Sequence, residues 1–575
     1  MTDVSSRLDR VRLAALTILA ALLPFELKTP IVTFGPLAIT NVELALYIAL
    51  LIWSASRALT RRSRPATAGW TPVHSAVLAW GAALLLSAAF APAERDATVK
   101  FALRSLGGCA LFFAAADLVT EPERAAQVML AVVGGGLVSA LAALAEVWLP
   151  DAPSLLLAFK TQTTLVGSFI RAGGTFQYAN IGAMYWEAVM PMALGLGCWS
   201  ALRGGRARWR WAGASAALTM AAAVVSSASR AGLLVAGLVL SAFTLIGWRS
   251  LRPLTGPAAA GLIGLATFTL VSLAVGPVLA LRLRSRDAAT WYRAEYISLS
   301  SSPQVEARQV MTVSLTVRNN GLLTWPAVGN QAVLLSYHWQ DSASDRTVIF
   351  EGWRTPLPAE VTPGAEVTLA AFVLAPTEPG RYLLQWDMVQ ESVLWFSALG
   401  GQTGDMEVRV TPASTRSVEP APPPVPRWII QPQPARRDLW LAGLRMWRER
   451  PVLGHGPDSF RHMYGSYLGL AQYDNRVHAN SLYVETLATL GLAGAAALIA
   501  LAGTLTRAVR RGWRAARGAS SVTERILALG LLAGLIAYFV HGLADYFFEF
   551  TPTYGLFWLT AGMTAGLMRR AEQRA

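Results

Sequence analysis

Arg230 is the first residue whose type and surroundings could serve chemistry. It follows Ser226, Ser227 and Ser229 in the stretch SSASR. A guanidinium is a planar fork of N–H donors that binds two phosphate oxygens at once. A single arginine at a membrane boundary also commonly serves as an interfacial anchor. This cluster therefore predicts either a phosphate contact or an anchor.

A second basic cluster lies at Arg436 and Arg437, directly before DLWLAGLRMWRE at 438–449. Apolar residues recur there at helical spacing with charges on the other side, which predicts a helix lying in the membrane interface. A glycine-rich turn, GHGP at 454–457, follows this helix. The two arginines are either anion-binding groups or the solvated basic edge of an amphipathic helix.

The third cluster contains His478 and Asn480, which come just before a long apolar run. Gly491 and Gly494 lie one helical turn apart within that run. An imidazole at a membrane edge is a usable general base at neutral pH. The alternative is a histidine that packs at the end of a helix and does no chemistry.

The composition requires a lipid environment for most of the chain. Hydrophobic residues make up 54% of the 575 positions and charged residues only 15%. The net charge is +14, but the basic residues fall in short clusters between apolar runs, which argues against nucleic acid as a partner. Cys109 and Cys198 both lie in apolar runs, so neither a disulfide framework nor a thiolate metal site is indicated.

Apolar runs long enough to cross a hydrocarbon core of about 30 Å predict about twelve transmembrane helices. They lie at 11–24, 40–55, 73–91, 101–119, 126–148, 181–201, 211–228, 231–248, 257–281, 481–505, 524–542 and 552–568.

The arginines of the short loops predict how these helices are oriented. Alternate loops carry most of the basic residues, and such loops face the cytoplasm. Both termini are then cytoplasmic and residues 282–480 lie outside, as expected for a multi-pass protein of the bacterial inner membrane. The three polar clusters then share the outer face of the bilayer.

Within the outer stretch, short runs with period-2 alternation predict a small all-β sandwich inserted in a large periplasmic loop. The segments NNGLLTW and APTEPGRYLLQWDM resemble Ig-like domains, and Trp325, Trp386 and Trp395 are predicted to be core residues. The sequence thus divides into transmembrane helices at 1–281, the β insert at 282–415, a linker with the interfacial helix and a catalytic loop at 416–480, and transmembrane helices at 481–575. SVEPAPPPVPRWIIQPQP at 417–434 is the linker, a semi-rigid spacer.

Taken together, the three clusters resemble the outer-face motifs of the O-antigen ligase and polymerase superfamily. The matching elements are Ser229-Arg230-Ala231, RRDLW at 436–440, PVLGHGPDSF at 451–460, the histidine segment ending in Gly491 and Gly494, and GGTFQYAN at 173–180. One position departs from the family pattern, because Asn480 stands where relatives commonly carry histidine. The base is then expected at His478.

The resemblance implies a donor glycan on a polyprenyl diphosphate and an acceptor hydroxyl on lipid A core or on another glycan. By that resemblance Arg230 and Arg436 would stabilise the diphosphate and His478 would act as a neutral base. Contacts to substrate would come from Arg437, Asn180, Asn480 and His455. No metal and no cofactor are expected.

Two other functions remain open from the sequence. One is a transporter or flippase of lipid-linked saccharides without covalent chemistry, and the other is a sensing protein whose β domain binds surface sugars. Transporters usually place ionisable groups near the bilayer midplane, often within internal repeats. Here the polar groups collect at one face and no repeat is evident, which favours glycan transfer.

Overall fold

The computed structural model describes residues 2–574, with gaps at 35–36, 61–69, 150, 162, 167–168, 285–290, 301–303, 329–331, 345, 391–393, 400, 414–433, 435, 471–472, 474 and 516–521. The described chain is mainly helical and also contains several β-sheets. The predicted linker at 417–434 lies almost wholly outside the described residues.

Long apolar runs form helices because backbone groups in lipid must pair within their own segment. The helices are α1 (Thr2–Leu22), α2 (Asn41–Thr60), α3 (Pro72–Ala89), α4 (Arg95–Leu118), α5 (Pro122–Trp148), α6 (Ala152–Leu156), α7 (Ala179–Gly204), α8 (Arg208–Ser226), α9 (Arg230–Ser250), α10 (Thr255–Val275), α11 (Pro277–Arg284), α12 (Arg436–Glu449), α13 (Phe460–Leu468), α14 (Leu482–Ala515), α15 (Val522–His541) and α16 (Thr551–Arg574).

Within the described residues, eight helices are long and apolar enough to cross a membrane. They are α2, α3, α4, α5, α9, α10, α14 and α15. The helices α1, α7, α8 and α16 are 21, 26, 19 and 24 residues long and pack into the same core. A mainly helical chain with eight candidate membrane-spanning helices is therefore confirmed for the described residues, while the count of about twelve spans stays a prediction.

Helix α7 is the centre of the bundle. Its side chains are buried almost continuously along its length, and it packs between α8 and α15. Within this contact His541 Nδ1, at the end of α15, lies 2.7 Å from Glu187 Oε1 on α7. Since Asn180 lies in the first turn of α7, the packing brings Asn180 beside the loop that follows α15.

Several loops meet at one end of the bundle, which we call the site end. It comprises the described residues within 23–40, 90–94, 149–178, 227–229, 436–481 and 542–550. Backbone and side-chain hydrogen bonds join these loops: Lys28 N to Ala158 O (3.0 Å), Arg450 Nη1 to Phe90 O (2.9 Å), Ala172 N to Ser226 O (3.0 Å) and Leu482 N to Gly542 O (2.7 Å).

Two β-sheets follow α11. The strands of the chain are β1 (Val32–Phe34), β2 (Leu37–Ile39), β3 (Leu165–Val166), β4 (Phe169–Ile170), β5 (Ala294–Ser300), β6 (Gln304–Glu306), β7 (Val310–Asn319), β8 (Val333–Asp341), β9 (Thr347–Ile349), β10 (Thr355–Pro356), β11 (Glu366–Leu374), β12 (Gly380–Gln390), β13 (Leu394–Trp395) and β14 (Gly404–Thr411). One sheet has the order β10-β8-β12-β14-β6, with β9 and β13 at its sides, and the other has the order β11-β7-β5.

Both sheets contribute side chains to one buried cluster, with Leu315 from β7 and Leu384 from β12 among its members. Trp325, Trp386 and Trp395 are buried, as predicted for core residues. The Ig-like identity of this insert and the domain boundaries stay predictions.

Candidate active site

The glycine-rich turn after α12 docks into a break in α14. At Gly491 the helix backbone leaves helical geometry, with φ 60° and ψ −155°. The amides of Leu492 and Ala493 therefore donate to Pro451 O at 2.8 Å and Val452 O at 3.0 Å. Buried backbone groups that lose their helical partners must find others, and the turn provides them.

The same turn also pairs with the carbonyls on the other side of the break. His455 N donates to Ala488 O at 3.1 Å and Gly456 N donates to Thr489 O at 2.9 Å. Turn and helix are thus joined by four backbone hydrogen bonds. This arrangement positions His478 and its loop, which lead directly into α14.

Replacing Gly491 by alanine is expected to lower the thermal unfolding midpoint of the purified protein. Its φ and ψ are those that essentially only glycine adopts, at a cost of roughly 1–3 kcal/mol for other residues. A Cβ there would also lie 2.5 Å from the backbone of Val452. Gly503→Ala is the matched control, because Gly503 lies in the same helix with open space around it. Equal midpoints for the two variants would contradict this role of the break.

His478 lies buried between two carboxylates. Its Nδ1 is 2.9 Å from Glu485 Oε1 and its Nε2 is 3.1 Å from Glu549 Oε2. The ring packs on Tyr546 with centroids 5.0 Å apart. Glu485 also accepts a hydrogen bond from the Ala479 amide at 2.8 Å, which fixes the loop onto the first turn of α14.

The two carboxylates determine the charge of the imidazole. Burial alone would lower the pKa of His478, but the charges of Glu549 and Glu485 outweigh it and raise the pKa well above its usual value. Burial likewise opposes ionisation of Glu549, yet His478 and Arg461 hold its pKa below the usual range. The structure therefore favours an imidazolium at neutral pH, whereas the sequence predicted a neutral base.

Substituting His478 by glutamine is expected to destabilise the protein by roughly 3–5 kcal/mol near pH 6, because it removes the buried cation that lies between Glu485 and Glu549. The raised pKa of His478 means that its contribution is complete below the unfolded pKa of about 6.5. That contribution is lost as pH rises through the folded pKa. The midpoint difference between wild type and variant should therefore shrink toward alkaline pH.

Thermal unfolding between pH 6 and pH 10 measures this difference. His462→Gln is the control, since burial and Arg461 lower the pKa of His462, the opposite direction to the shift of His478. A difference for His478→Gln that is constant over the whole range would contradict the imidazolium assignment.

A second polar group lies next to this one. Asn180 accepts a hydrogen bond from Arg171 Nη2 at 2.7 Å and its Nδ2 lies 3.3 Å from Asp545 Oδ2. Burial raises the pKa of Asp545, against the opposing effects of the Tyr546 amide, the charge of Arg436 and the Asn180 amide. Arg436 is therefore close enough to Asp545 to influence its ionisation. Its own side chain is exposed at the first residue of α12.

The loop after α15 connects the polar residues around Asp545 with those around His478. Asp545 O accepts the Leu482 amide at 3.0 Å, and Tyr546, the next residue, packs on His478. The structure thus brings Asn180, Arg436 and His478 to one region at the site end, from three distant parts of the sequence.

The turn before Arg230 is attached to the same region. Ser227 O accepts a hydrogen bond from Arg171 Nε at 2.8 Å, and Ser229 caps α9 by accepting the Gly232 amide at 3.2 Å. Ala228 between them has φ 50°. Arg230 follows as an exposed side chain at the first residue of α9. Arg171 therefore couples the Arg230 turn to Asn180.

A buried ion pair holds the segment that contains Arg171 and Asn180. Lys160 Nζ contacts Glu146 Oε1, and both side chains are fully buried. Glu146 Oε2 accepts the amides of Gly173 and Gly174 at 2.9 and 2.8 Å. A buried carboxylate is stable only when it is paired and hydrogen-bonded, as Glu146 is here. These contacts attach the segment that contains Arg171 to α5.

The other predicted contacts occupy different surroundings. His455 is buried, with Nε2 3.0 Å from Met446 O, and burial lowers its pKa. This geometry gives His455 a packing role beneath α12. Asn480 is half-buried with φ 49°, and Arg437 is exposed beside Arg436. Substrate binding by these three residues stays a prediction.

Sequence reasoning did not identify the acidic members of the site, Asp545, Glu485 and Glu549, or the bridging role of Arg171. One signal was present: Asp545 and Glu549 lie in an otherwise apolar segment between two apolar helices. Carboxylates in such positions are costly and tend to be functional.

No curated protein matches this chain. Residues 431–499 match the family model described as O-Antigen ligase. The matched segment contains Arg436, the docking turn, His478 and the break at Gly491. The O-antigen ligase domain at residues 431–499 confirms the resemblance read from the sequence and supports the place of this chain in the O-antigen ligase and polymerase superfamily.

Proposed function

We propose that the protein is a membrane glycosyltransferase that moves a glycan from a polyprenyl-diphosphate donor to an acceptor hydroxyl at the outer face of the bacterial inner membrane. The O-antigen ligase family suggests a glycosyltransferase-type enzyme of a bacterial membrane. The finer proposal is supported by Arg436, which lies within the matched segment and whose charge acts on the pKa of Asp545, and by the contact between Asp545 and Asn180.

The diphosphate of the donor would meet Arg436 and Arg230, whose exposed guanidinium groups lie at the first residues of α12 and α9. As the bond between the anomeric carbon and the phosphate oxygen breaks, negative charge grows on the diphosphate. Fixed guanidinium groups at a membrane boundary stabilise that charge more strongly than water does. Arg437 would be a third cation for the same headgroup.

Asp545 is the candidate proton acceptor. The acceptor oxygen attacks the anomeric carbon, its proton moves to Asp545, and the bonding electrons of the broken bond leave with the diphosphate. A raised pKa makes this carboxylate a stronger base than an ordinary aspartate, and Asn180 orients it. His478, held as an imidazolium, adds positive charge and positions the loop.

The remaining parts of the proposal follow the sequence predictions. Both termini would be cytoplasmic and the site end would face outward, with lipid A core or another glycan as acceptor. The expectation that no metal or cofactor takes part stays a prediction.

Purified protein incubated with a polyprenyl-diphosphate glycan, with and without a lipid A core acceptor, tests the function. A transferase releases polyprenyl diphosphate and attaches the glycan to the acceptor, or lengthens the glycan when no lipid A is present. If the donor stays intact under all these conditions, a transporter or a sensing protein becomes the better explanation.

A further inference from the structure

A basic cleft lies at the end of the bundle opposite the site end. It has about 500 Å³ of open space and is formed where α3 begins and where α14 and α16 approach their ends. Its walls include Arg507 and Arg511 from α14 and Arg569 from α16. No residue of this cleft belongs to the segments that form the candidate active site.

The charge of the cleft suits an oxyanion. Arg507 and Arg511 are four residues apart, so they share one face of α14, and Arg569 approaches from the neighbouring helix. Among the described residues that line it, none is a carboxylate. The first turn of α3, at Thr71 and Pro72, adds the positive end of a helix dipole.

The apolar part of the wall distinguishes a lipid from a small soluble anion. Val73, Ala508, Ala565 and Met568 line the cleft beside the arginines. These residues belong to helices that continue into the apolar core. Such a combination of guanidinium groups and apolar surface at the end of a helix bundle matches a headgroup phosphate with the first part of an acyl chain.

We propose that this cleft binds the phosphate headgroup of an anionic phospholipid, with an acyl chain on its apolar wall. The lipid headgroup and a soluble phosphate both present an oxyanion, which the arginines would bind. The acyl contact is specific to the lipid.

Native mass spectrometry of the full-length protein in detergent tests this proposal. The protein is titrated separately with phosphatidylglycerol, with phosphatidylcholine of the same acyl chains, and with inorganic phosphate. Each basic side chain near an anionic headgroup contributes about fivefold in affinity, so three should give roughly a hundredfold preference for phosphatidylglycerol over phosphatidylcholine. Inorganic phosphate should bind far more weakly, because it cannot use the apolar wall.

The triple variant Arg507→Gln, Arg511→Gln and Arg569→Gln should lose this preference. The matched control replaces three exposed arginines elsewhere at the same end, Arg206, Arg249 and Arg252, by glutamine and should keep this preference. The single variant Arg511→Gln changes an exposed side chain and should lower the affinity for phosphatidylglycerol by about fivefold. It replaces the triple variant in this test if the triple variant does not fold.

Equal binding of the two phospholipids by wild-type protein would overturn the proposal. An unchanged preference for phosphatidylglycerol in the triple variant and in Arg511→Gln would also overturn it. Inorganic phosphate that binds as tightly as phosphatidylglycerol would overturn the lipid as the source of the oxyanion.

Discussion

Replacing Arg436 by glutamine is expected to lower kcat/KM for glycan transfer by about a hundredfold to a thousandfold. Removing one fixed donor from a developing anion has effects of that order. Arg436 is exposed at the site end, and its charge acts on the pKa of the buried Asp545, the proposed proton acceptor. The assay measures release of polyprenyl diphosphate in the presence of acceptor.

Two variants on the same helix control for charge and folding. Arg448→Gln removes an exposed arginine in the last turn of α12 and should leave activity near that of wild type. Arg437→Gln should lower activity less than Arg436→Gln, because Arg436 is the arginine of this pair whose charge acts on the pKa of Asp545. The reverse order, with Arg437 essential and Arg436 dispensable, would transfer the diphosphate contact to Arg437.

Asparagine in place of Asp545 is expected to lower kcat by about a hundredfold to ten thousandfold, the range that general-base catalysis contributes. Asparagine keeps the size of the side chain but cannot accept a proton. Because burial raises the pKa of Asp545, wild-type activity should fall as pH drops through that raised pKa, at which the carboxylate becomes protonated. The variant should lose this acidic limb of the pH profile.

Asp151→Asn serves as the control for Asp545→Asn, because Asp151 is an exposed carboxylate in another loop of the site end. It should retain both the rate and the pH profile of wild type. Should Asp545→Asn also retain them, the base would have to be another carboxylate, and Glu549 is the next one in the site.

Three residues of the candidate site could be proposed from the sequence alone. Arg230, Arg436 and His478 each lie at the edge of an apolar run, and a charge at that position stands out without knowledge of the fold. The helix predicted at 438–449 is present as α12, with Leu439, Ala442 and Met446 buried on one face. These features depend on neighbours within a few residues, which a pattern can reveal.

A local sequence pattern could not reveal which residues from distant segments contact each other. Asn180 and Asp545 are separated by 365 positions, and only the packing of α7 on α15 brings them together. The charge of His478 likewise depends on Glu549, which lies in the loop before the last helix. A neutral base was predicted because the sequence shows the imidazole without the carboxylates that face it.

The break in α14 could be predicted from the sequence only in part. Gly491 and Gly494 were recognised from the sequence as part of a family element, one helical turn apart within an apolar run. The structure shows that Gly491 opens the helix so that the turn at 451–456 can supply its hydrogen bonds. A pair of glycines in a sequence does not show which of the two interrupts the helix backbone. A glycine that allows close helix packing and a glycine that breaks the helix are written with the same letter.

We propose that the donor diphosphate binds at Arg436, with its sugar near Asp545. A cryo-EM structure of the protein in a lipid nanodisc with a polyprenyl-diphosphate glycan would locate the bound donor. We expect phosphate density within hydrogen-bond distance of the Arg436 guanidinium, with the sugar toward Asp545. Diphosphate density elsewhere, with this region empty, would contradict it.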